Sequence, residues 1–401
     1  MSRVKKLVSH IQGDKAIWAI AALLALFSFL PVYSAASNLA YINGDGNTVR
    51  FLIKHGMHLL LGFVILYGVH KIPHHYFKGL SVIFLPIIIV LLIVTLAQGT
   101  VMAGANAARW IKIPFVGVGF QTSTLAAVVL MVYVARYLSR IKDKPITFKE
   151  TLVPLWLPVA LVLMFILPAN FSTTAIIFAM VIALVFLGGY PLKYLGAIIG
   201  AGVVMLLLFV LLAKAFPGMF PNRVDTWINR VENFASDEVD ADADYQIEKA
   251  KIAIASGGAF GQGPGKSVQK NFLPQSSSDF IYAIIVEEFG LAGGLFLMAM
   301  YLFLLFRITV IAHKAETIFG KLLAVGVGMP IVFQALINMA VAVELFPVTG
   351  QTLPLVSSGG TSIWMTCLAI GIVLSVSAQK DVKKQELNTL ENPLDILSET
   401  L

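Results

Sequence analysis

The chain has 401 residues, of which 58% are hydrophobic and only 13% are charged, and its mean hydropathy is +0.84. A water-soluble enzyme is excluded, because about half of the sequence lies in apolar runs of around 20 residues, long enough to cross a hydrocarbon core of about 30 Å. The formal net charge is +7, so the positions of the basic residues decide whether it reflects nucleic-acid binding or membrane topology. The single cysteine, Cys367, excludes an internal disulfide and a cysteine-based metal site.

The apolar runs, broken at charges and at Pro/Gly clusters, predict ten membrane helices. The first run is too long for the apolar part of a signal peptide, so we expect it to be retained as a helix. The sequence therefore predicts an all-α, polytopic membrane protein that forms a single domain over residues 1–401. The ten predicted helices are 16–36, 52–70, 79–98, 120–138, 151–167, 171–188, 194–216, 279–306, 321–344 and 360–378.

Basic residues predict the orientation of these helices. With the N-terminus in the cytoplasm, 18 of the 29 Lys and Arg residues fall on the cytoplasmic side. Seven others lie in or beside one long outer loop, where the positive-inside rule has little force. Both termini are therefore predicted to be cytoplasmic, with residues 380–401 as a tail. The net positive charge reflects membrane topology rather than nucleic-acid binding. The four that remain in short outer loops are Arg50, Lys54, Arg109 and Lys112.

Two outer segments are longer than connections need to be, which makes them the expected place for function. Residues 99–119 join the third and fourth helices, and residues 217–278 join the seventh and eighth. The second segment carries an acidic stretch that we interpret as solvated and partly disordered. Its acids are Asp237, Glu238, Asp240, Asp242 and Asp244.

The long loop ends in a glycine-rich segment. Six of the nine residues from Gly257 to Gly265 are Gly or Pro, which excludes a helix interior. The exposed amides of such a loop, with Lys266 and Lys270 beside them, suit an anionic group such as a phosphate. A flexible loop with ordinary lysines explains the composition equally well.

Three acids lie at or after the start of the eighth helix. Asp279 follows three serines, which predicts a carboxylate in the first helical turn at the outer face, where it could act as a general base or hold a divalent cation. Glu287 and Glu288 are expected about 12 Å deeper, at about 1.5 Å per residue, facing a partner or a polar cavity rather than lipid. Helical geometry allows only Glu287 to share a cavity with Asp279, whereas Glu288 is predicted to pair with another helix.

Other polar residues lie in or near apolar runs. Arg109 and Trp110 precede the fourth helix, and an interfacial anchor and a phosphate or sugar contact are both compatible with this pair. For the remaining four, hydrogen bonding between helices is the default interpretation. They are Gln121, Gln334, Asn338 and Glu344.

Two motifs carry a family resemblance. They are SGGAFGQGPGKSVQKNFLPQSSSDFIYAIIVEEFG at 256–290 and PVTGQTLPLVSSGGTS at 347–362. In this order they resemble the SEDS family of FtsW, RodA and SpoVE, and the similarity extends from about Gly104 to Ser377, with the first hundred residues agreeing in topology. The TLP at Thr352 to Pro354 looks more like the division branch, FtsW, than the elongation branch.

This resemblance implies a peptidoglycan glycosyltransferase that polymerises lipid II, the undecaprenyl-pyrophosphate-linked disaccharide, outside the cytoplasmic membrane. Asp279 falls on the family's essential aspartate and would deprotonate the acceptor sugar hydroxyl. The only cofactor this interpretation allows for is a divalent cation, Mg²⁺ or Mn²⁺, held by Asp279. We assign substrate contacts to Arg109, Trp110, Lys266, Lys270, Gln121 and Ser358, and supporting roles to Glu287, Glu288 and Asn338.

The resemblance also implies partners and a location. A class B penicillin-binding protein, a single-span transpeptidase, would pair with the polymerase, and other membrane proteins of the division machinery would join it. The protein would lie in the inner membrane of a bacterium, at the division septum. Two further hypotheses stay open: a flippase for the lipid-linked precursor, since helices with intramembrane acids also describe a carrier, and a non-catalytic division scaffold.

Three positions depart from the family pattern. A Glu and a Lys that the family usually has are replaced by Thr124 and Ala127, and an Asp is replaced by Asn170. A charged pair is therefore missing. Either relatives use it for catalysis or ion binding and this chain differs from them, or the pair is only structural. Glu344 is a candidate replacement for a lost charge.

Overall fold

The computed structural model of the chain describes residues 11–42, 47–98, 101–102, 105–106, 110–112, 119–142, 144–216, 228, 241–273 and 276–390. Helices dominate these residues. They are α1 (Lys15–Ile42), α2 (Thr48–Val69), α3 (Tyr76–Gln98), α4 (Thr122–Ile141), α5 (Phe148–Ile166, with a π-helical turn at Leu152–Trp156), α6 (Phe171–Leu187), α7 (Leu192–Ala215), α8 (Ala241–Gly257), α9 (Ile281–Lys314), α10 (Ile318–Ala342) and α11 (Gly360–Leu390).

Each of the ten predicted spans is a helix in the structure. Among the described residues, nine helices are long and apolar enough to cross a membrane. The tenth, α6, has 17 residues, which is at the short end of the range for a transmembrane helix. The first predicted span corresponds to α1, which runs through Ser34 without a break.

The centre of the bundle is formed by α10 and α11. In their apolar windows 67% and 72% of the residues are buried inside the protein, whereas the corresponding share for α7 is 6%. The side chains that α7 exposes are apolar, as expected for a helix that faces lipid on most sides. The site therefore has to be sought around α9, α10 and α11, where polar side chains are enclosed by protein.

The long outer loop contains a helix that the sequence interpretation missed. Ile247, Ala250 and Ala253 of α8 form a buried stripe that packs against Phe280 and Val341. The acidic stretch is therefore not simply disordered, because Asp242 and Asp244 belong to α8. The positions 237, 238 and 240 lie outside the described residues.

A break divides α9 into two parts. Gly290 has φ +68° and ψ −174° within the helix, a conformation that side-chain-bearing residues avoid. The first part, Ile281–Phe289, therefore has its own axis. Glu287 and Glu288 lie in this first part, ahead of the break, so the break does not alter their expected depth below Asp279.

Two short hairpins lie between α3 and α4. β1 (Val101–Met102) pairs antiparallel with β2 (Ala105–Asn106), and β3 (Trp110–Lys112) pairs antiparallel with β4 (Gly119–Gln121). β4 leads directly into α4. The second hairpin therefore places its residues at the start of a membrane helix.

Candidate active site

Asp279 lies in a turn that precedes α9. The helix starts at Ile281, and its first turn contains no acid, so the prediction of a carboxylate in the first helical turn was wrong by two positions. Asp279 is partly exposed, whereas Ser276, Ser277 and Phe280 around it are buried. The turn therefore presents the carboxylate at the surface of a well-packed element.

The second motif holds this turn in place. Ser357 Oγ donates to Ser278 O at 2.6 Å, and the Ser358 backbone N–H donates to Ser277 O at 2.8 Å. Asn338 Nδ2, from α10, donates to Asp279 O at 2.7 Å. Two motifs whose contacting residues are 79 positions apart in the sequence therefore form one structural unit, and the exposed Ser358 belongs to it.

Gly350 faces the Asp279 carboxylate. A Cβ at this glycine would lie 3.4 Å from Asp279 Oδ2, and its φ is +64°. A side chain here would be strained and would partly cover the carboxylate. The next residue, Gln351, donates from Nε2 to Thr173 Oγ1 of α6 at 2.9 Å, which ties this wall of the site to the bundle.

Glu287 and Glu288 are buried, with 2% and 1% of their surfaces exposed. Glu288 accepts a hydrogen bond from Ser34 Oγ of α1, which agrees with the prediction that it pairs with another helix. Glu287 accepts from Ser267 Oγ and from the backbone N–H of Val268 at 2.9 Å. Its carboxylate is thus held by the loop before α9, as expected for an acid that faces a partner rather than lipid.

The glycine-rich loop closes on the break in α9. Gln262 N–H donates to Glu287 O at 2.9 Å and Gly263 N–H donates to Glu288 O at 3.0 Å. In return, Leu291 N–H donates to Gly258 O at 2.9 Å. These amides satisfy the helix break, so the hypothesis that the loop presents its amides to a phosphate was wrong for Gln262 and Gly263.

The two lysines of the loop differ in their surroundings. Lys266 is exposed. Lys270 Nζ donates to Gly265 O at 2.8 Å and to Ser34 Oγ at 3.1 Å, so its ammonium group helps to attach the loop to α1. Of the two, Lys266 is the more accessible to an anionic group.

The predicted contacts of the outer hairpin are partly described. Trp110 and Gln121 are paired residues of β3 and β4, so two assigned substrate residues lie side by side at the entry to α4. Gln121 Nε2 donates to Ser123 Oγ at 3.2 Å. Arg109 lies outside the described residues.

A cavity of about 90 Å³ lies where the family's charged pair is missing. Thr124 and Ala127 of α4 line it, together with residues of α6, α10 and α11. Thr124 Oγ1 donates to Gln121 O at 2.8 Å, and Asn170 caps α6 by accepting from Thr173 N–H at 3.1 Å. Thr124 and Asn170 therefore form neutral hydrogen bonds at two positions where the family resemblance leads us to expect charges.

Glu344 does not fill this gap. Its Oε2 accepts from Lys251 Nζ of α8 at 2.6 Å, and both side chains are about half exposed, at 43% and 52%. The pair joins the outer helix α8 to the end of α10. The hypothesis that Glu344 replaces the missing charge was therefore wrong.

The cavity yields a prediction for stability. Thr124→Glu alone is expected to destabilise the protein by about 1 to 3 kcal/mol, because it leaves an unpaired charge in a largely apolar cavity. Thr124→Glu combined with Ala127→Lys should recover most of this loss, since the two residues are three apart on one helix face. Thermal unfolding of the purified single and double variants measures the effect. Equal destabilisation by the single and the double variant would contradict the assignment of this cavity to the side chains of the missing charged pair.

Sequence reasoning missed several residues that organise the site. Ser34 and Ser267 bind the two buried glutamates, and no signal in their own neighbourhood indicates it, because their partners are more than 250 and about 20 residues away. For α8 a signal was present in the apolar spacing of Ile247, Ala250 and Ala253. Among the described residues, no three His, Cys, Asp or Glu side chains converge on a metal-sized site.

Comparisons with known proteins show what this chain is similar to. The family model of FtsW, RodA and SpoVE, described as cell cycle protein, matches residues 14–382. The probable peptidoglycan glycosyltransferase FtsW of Nitrosomonas europaea is 32% identical over 388 residues, 94% of this chain and 96% of that protein. A chain of a peptidoglycan synthase complex has a TM-score of 0.68 at 22% identity, over 91% of this chain and 97% of its own. Thermus thermophilus RodA, the rod shape determining protein, has a TM-score of 0.63 at 24% identity, over 91% of this chain and 96% of its own.

Proposed function

Since this chain belongs to the FtsW, RodA and SpoVE family, we propose that it is a peptidoglycan glycosyltransferase of the division branch, which polymerises lipid II at the outer face of the membrane. The observation that carries the proposal is the position of Asp279, which is a partly exposed residue. Asn338 and Ser357 hold its turn through backbone carbonyls, and Gly350 lies beside its carboxylate. A rigid acid at a surface accessible to a lipid-linked sugar suits base catalysis.

The proposed reaction is a glycosyl transfer. Asp279 accepts the proton of the acceptor sugar hydroxyl while that oxygen bonds to the anomeric carbon of the donor. The bond between this carbon and the pyrophosphate oxygen breaks, and the lipid pyrophosphate leaves with the electron pair. The exposed Lys266 side chain is a candidate to stabilise the charge on the leaving group.

The residues around Asp279 fit a divalent cation that is held by one protein carboxylate and otherwise by water and substrate. Mg²⁺ is commonly held by one or two carboxylates together with water and substrate phosphate oxygens, and Asp279 offers one carboxylate. Asp279 would hold Mg²⁺ or Mn²⁺, and the metal would supply charge neutralisation at the pyrophosphate.

Partners and location extend the proposal. A class B penicillin-binding protein would cross-link the strands that this chain makes, and it would act with other membrane proteins of the division machinery. The chain would work in the bacterial inner membrane at the division septum. A fluorescent fusion found evenly along the side wall would contradict the septal role.

Purified protein tests the proposal against its two alternatives. The protein is reconstituted with fluorescent lipid II, with and without its transpeptidase partner, and wild type is compared with Asp279→Ala under a Mg²⁺ or Mn²⁺ titration. Glycan strands from wild type alone support the enzyme. Transfer of lipid II between leaflets without strands would support a flippase, and neither activity with partner binding intact would support a scaffold.

A further inference from the structure

Asn338 connects three elements of the site. It is buried in α10, with 2% of its surface exposed. Its Nδ2 donates to Asp279 O and to Gln351 O, both at 2.7 Å. One amide group thus joins α10, the turn of Asp279 and the segment that faces the carboxylate.

The orientation of this amide is fixed by its partners. Both acceptors are backbone carbonyl oxygens, so only the NH₂ group can face them. Each of its two hydrogens is used, and the Asn338 Oδ1 atom is buried without a hydrogen-bond partner in the structure. An Asn in this environment is therefore specified by its two donors rather than by its size or by its acceptor.

The loss of these donors would act on the site directly. Two backbone carbonyls in partly buried positions, those of Asp279 and Gln351, would lose the donor that they share. The turn of Asp279 and the Gln351 segment would then be free to separate. Misplacement of a catalytic group by about 1 Å can lower a rate by about 100-fold.

We propose that Asn338 is a positioning residue, which sets the direction of the Asp279 carboxylate by holding its backbone carbonyl against that of Gln351. Asn338 reaches only backbone atoms here and is not itself a base. The inference rests on the proposed glycosyltransferase function, because its main readout is strand synthesis.

The nearest matched control lies one helical turn away. Gln334 is on the same helix and donates from Nε2 to Thr352 O at 2.8 Å. It therefore holds the same segment through the same kind of bond. The hydrogen bonds of its side chain go to Thr352 and none is observed to the Asp279 turn.

The test compares Asn338→Leu, which keeps the branched shape and removes both donors, with Gln334→Met. Strand synthesis from fluorescent lipid II is measured per folded protein, with kcat and KM determined separately. Asn338→Leu is expected to lower kcat by about 10- to 100-fold with KM little changed, whereas Gln334→Met should keep kcat within a few-fold of wild type. Asn338→Ser, which can donate only once, should fall between wild type and Asn338→Leu, and it replaces Asn338→Leu if that variant does not purify.

The outcomes separate the two proposals. Absence of strands from wild type with its partner would refute the proposed function. Active wild type with an unchanged kcat for Asn338→Leu or Asn338→Ser would refute the positioning role, as would an equal loss of kcat in Gln334→Met. A loss of folded protein at unchanged kcat would show that Asn338 is merely structural.

Discussion

Replacement of Asp279 by Asn is expected to lower kcat for strand synthesis by about 10²- to 10⁴-fold, the usual contribution of a general base. Asn has the shape of Asp but cannot accept the proton. The contacts that hold the turn use the backbone carbonyls of Ser277, Ser278 and Asp279, so the variant should fold normally. Its KM should change little if the side chain acts mainly in the chemical step.

Glu344→Gln is the control for removal of an outer carboxylate. Glu344 forms an ion pair with Lys251, and exposed pairs of this kind usually contribute at most about 1 kcal/mol. Strand synthesis by this variant should match wild type. Comparable strand synthesis by Asp279→Asn and wild type would show that Asp279 is not the catalytic base.

Gly261→Ala is expected to destabilise the packing of the outer loop strongly. Gly261 has φ +83°, and a Cβ there would lie 2.2 Å from the carbonyl oxygen of Glu288. A left-handed conformation costs a side-chain-bearing residue about 1 to 2 kcal/mol, and overpacking costs about 1 to 3 kcal/mol more. The loop would have to move away from the break in α9. The hydrogen bonds that Gln262 and Gly263 donate to Glu287 and Glu288 would then be lost.

Gly265→Ala provides a closely matched control. Gly265 has φ +79°, and a Cβ there would meet no atom within 4 Å. Only the conformational cost applies, so this variant should lose about 1 to 2 kcal/mol. Apparent Tm values of the two purified variants measure the difference, with Gly261→Ala clearly lower. Equal Tm values would contradict the packing of the loop on α9.

The membrane spans were predictable because their signal is local. A run of around 20 apolar residues specifies a transmembrane helix whatever its neighbours are, and all ten runs are helices. The contacts at the break of α9 depend on residues far apart in the sequence. Nothing in the local sequence shows that Glu287 binds Ser267 or that Glu288 binds Ser34.

The central residue of the candidate site was predictable from the sequence, but the contacts that hold it in place were not. Asp279 stood out because a carboxylate follows polar residues at the end of an outer loop. The role of Asn338 depends on two backbone carbonyls, which no side-chain pattern reveals. The phosphate hypothesis for the glycine-rich loop was wrong for the amides of Gln262 and Gly263, because a helix break at Gly290 also needs glycines and free amides, and the composition does not distinguish these uses.

The central claim is that residue 279 faces the outer aqueous side at the place where lipid II binds. Asp279→Cys tests it, because the only native cysteine, Cys367, is fully buried. In right-side-out membrane vesicles, a membrane-impermeant thiosulfonate should modify the introduced thiol, and added lipid II should slow the modification. Modification only from the cytoplasmic side, or at a rate that lipid II does not change, would contradict the account.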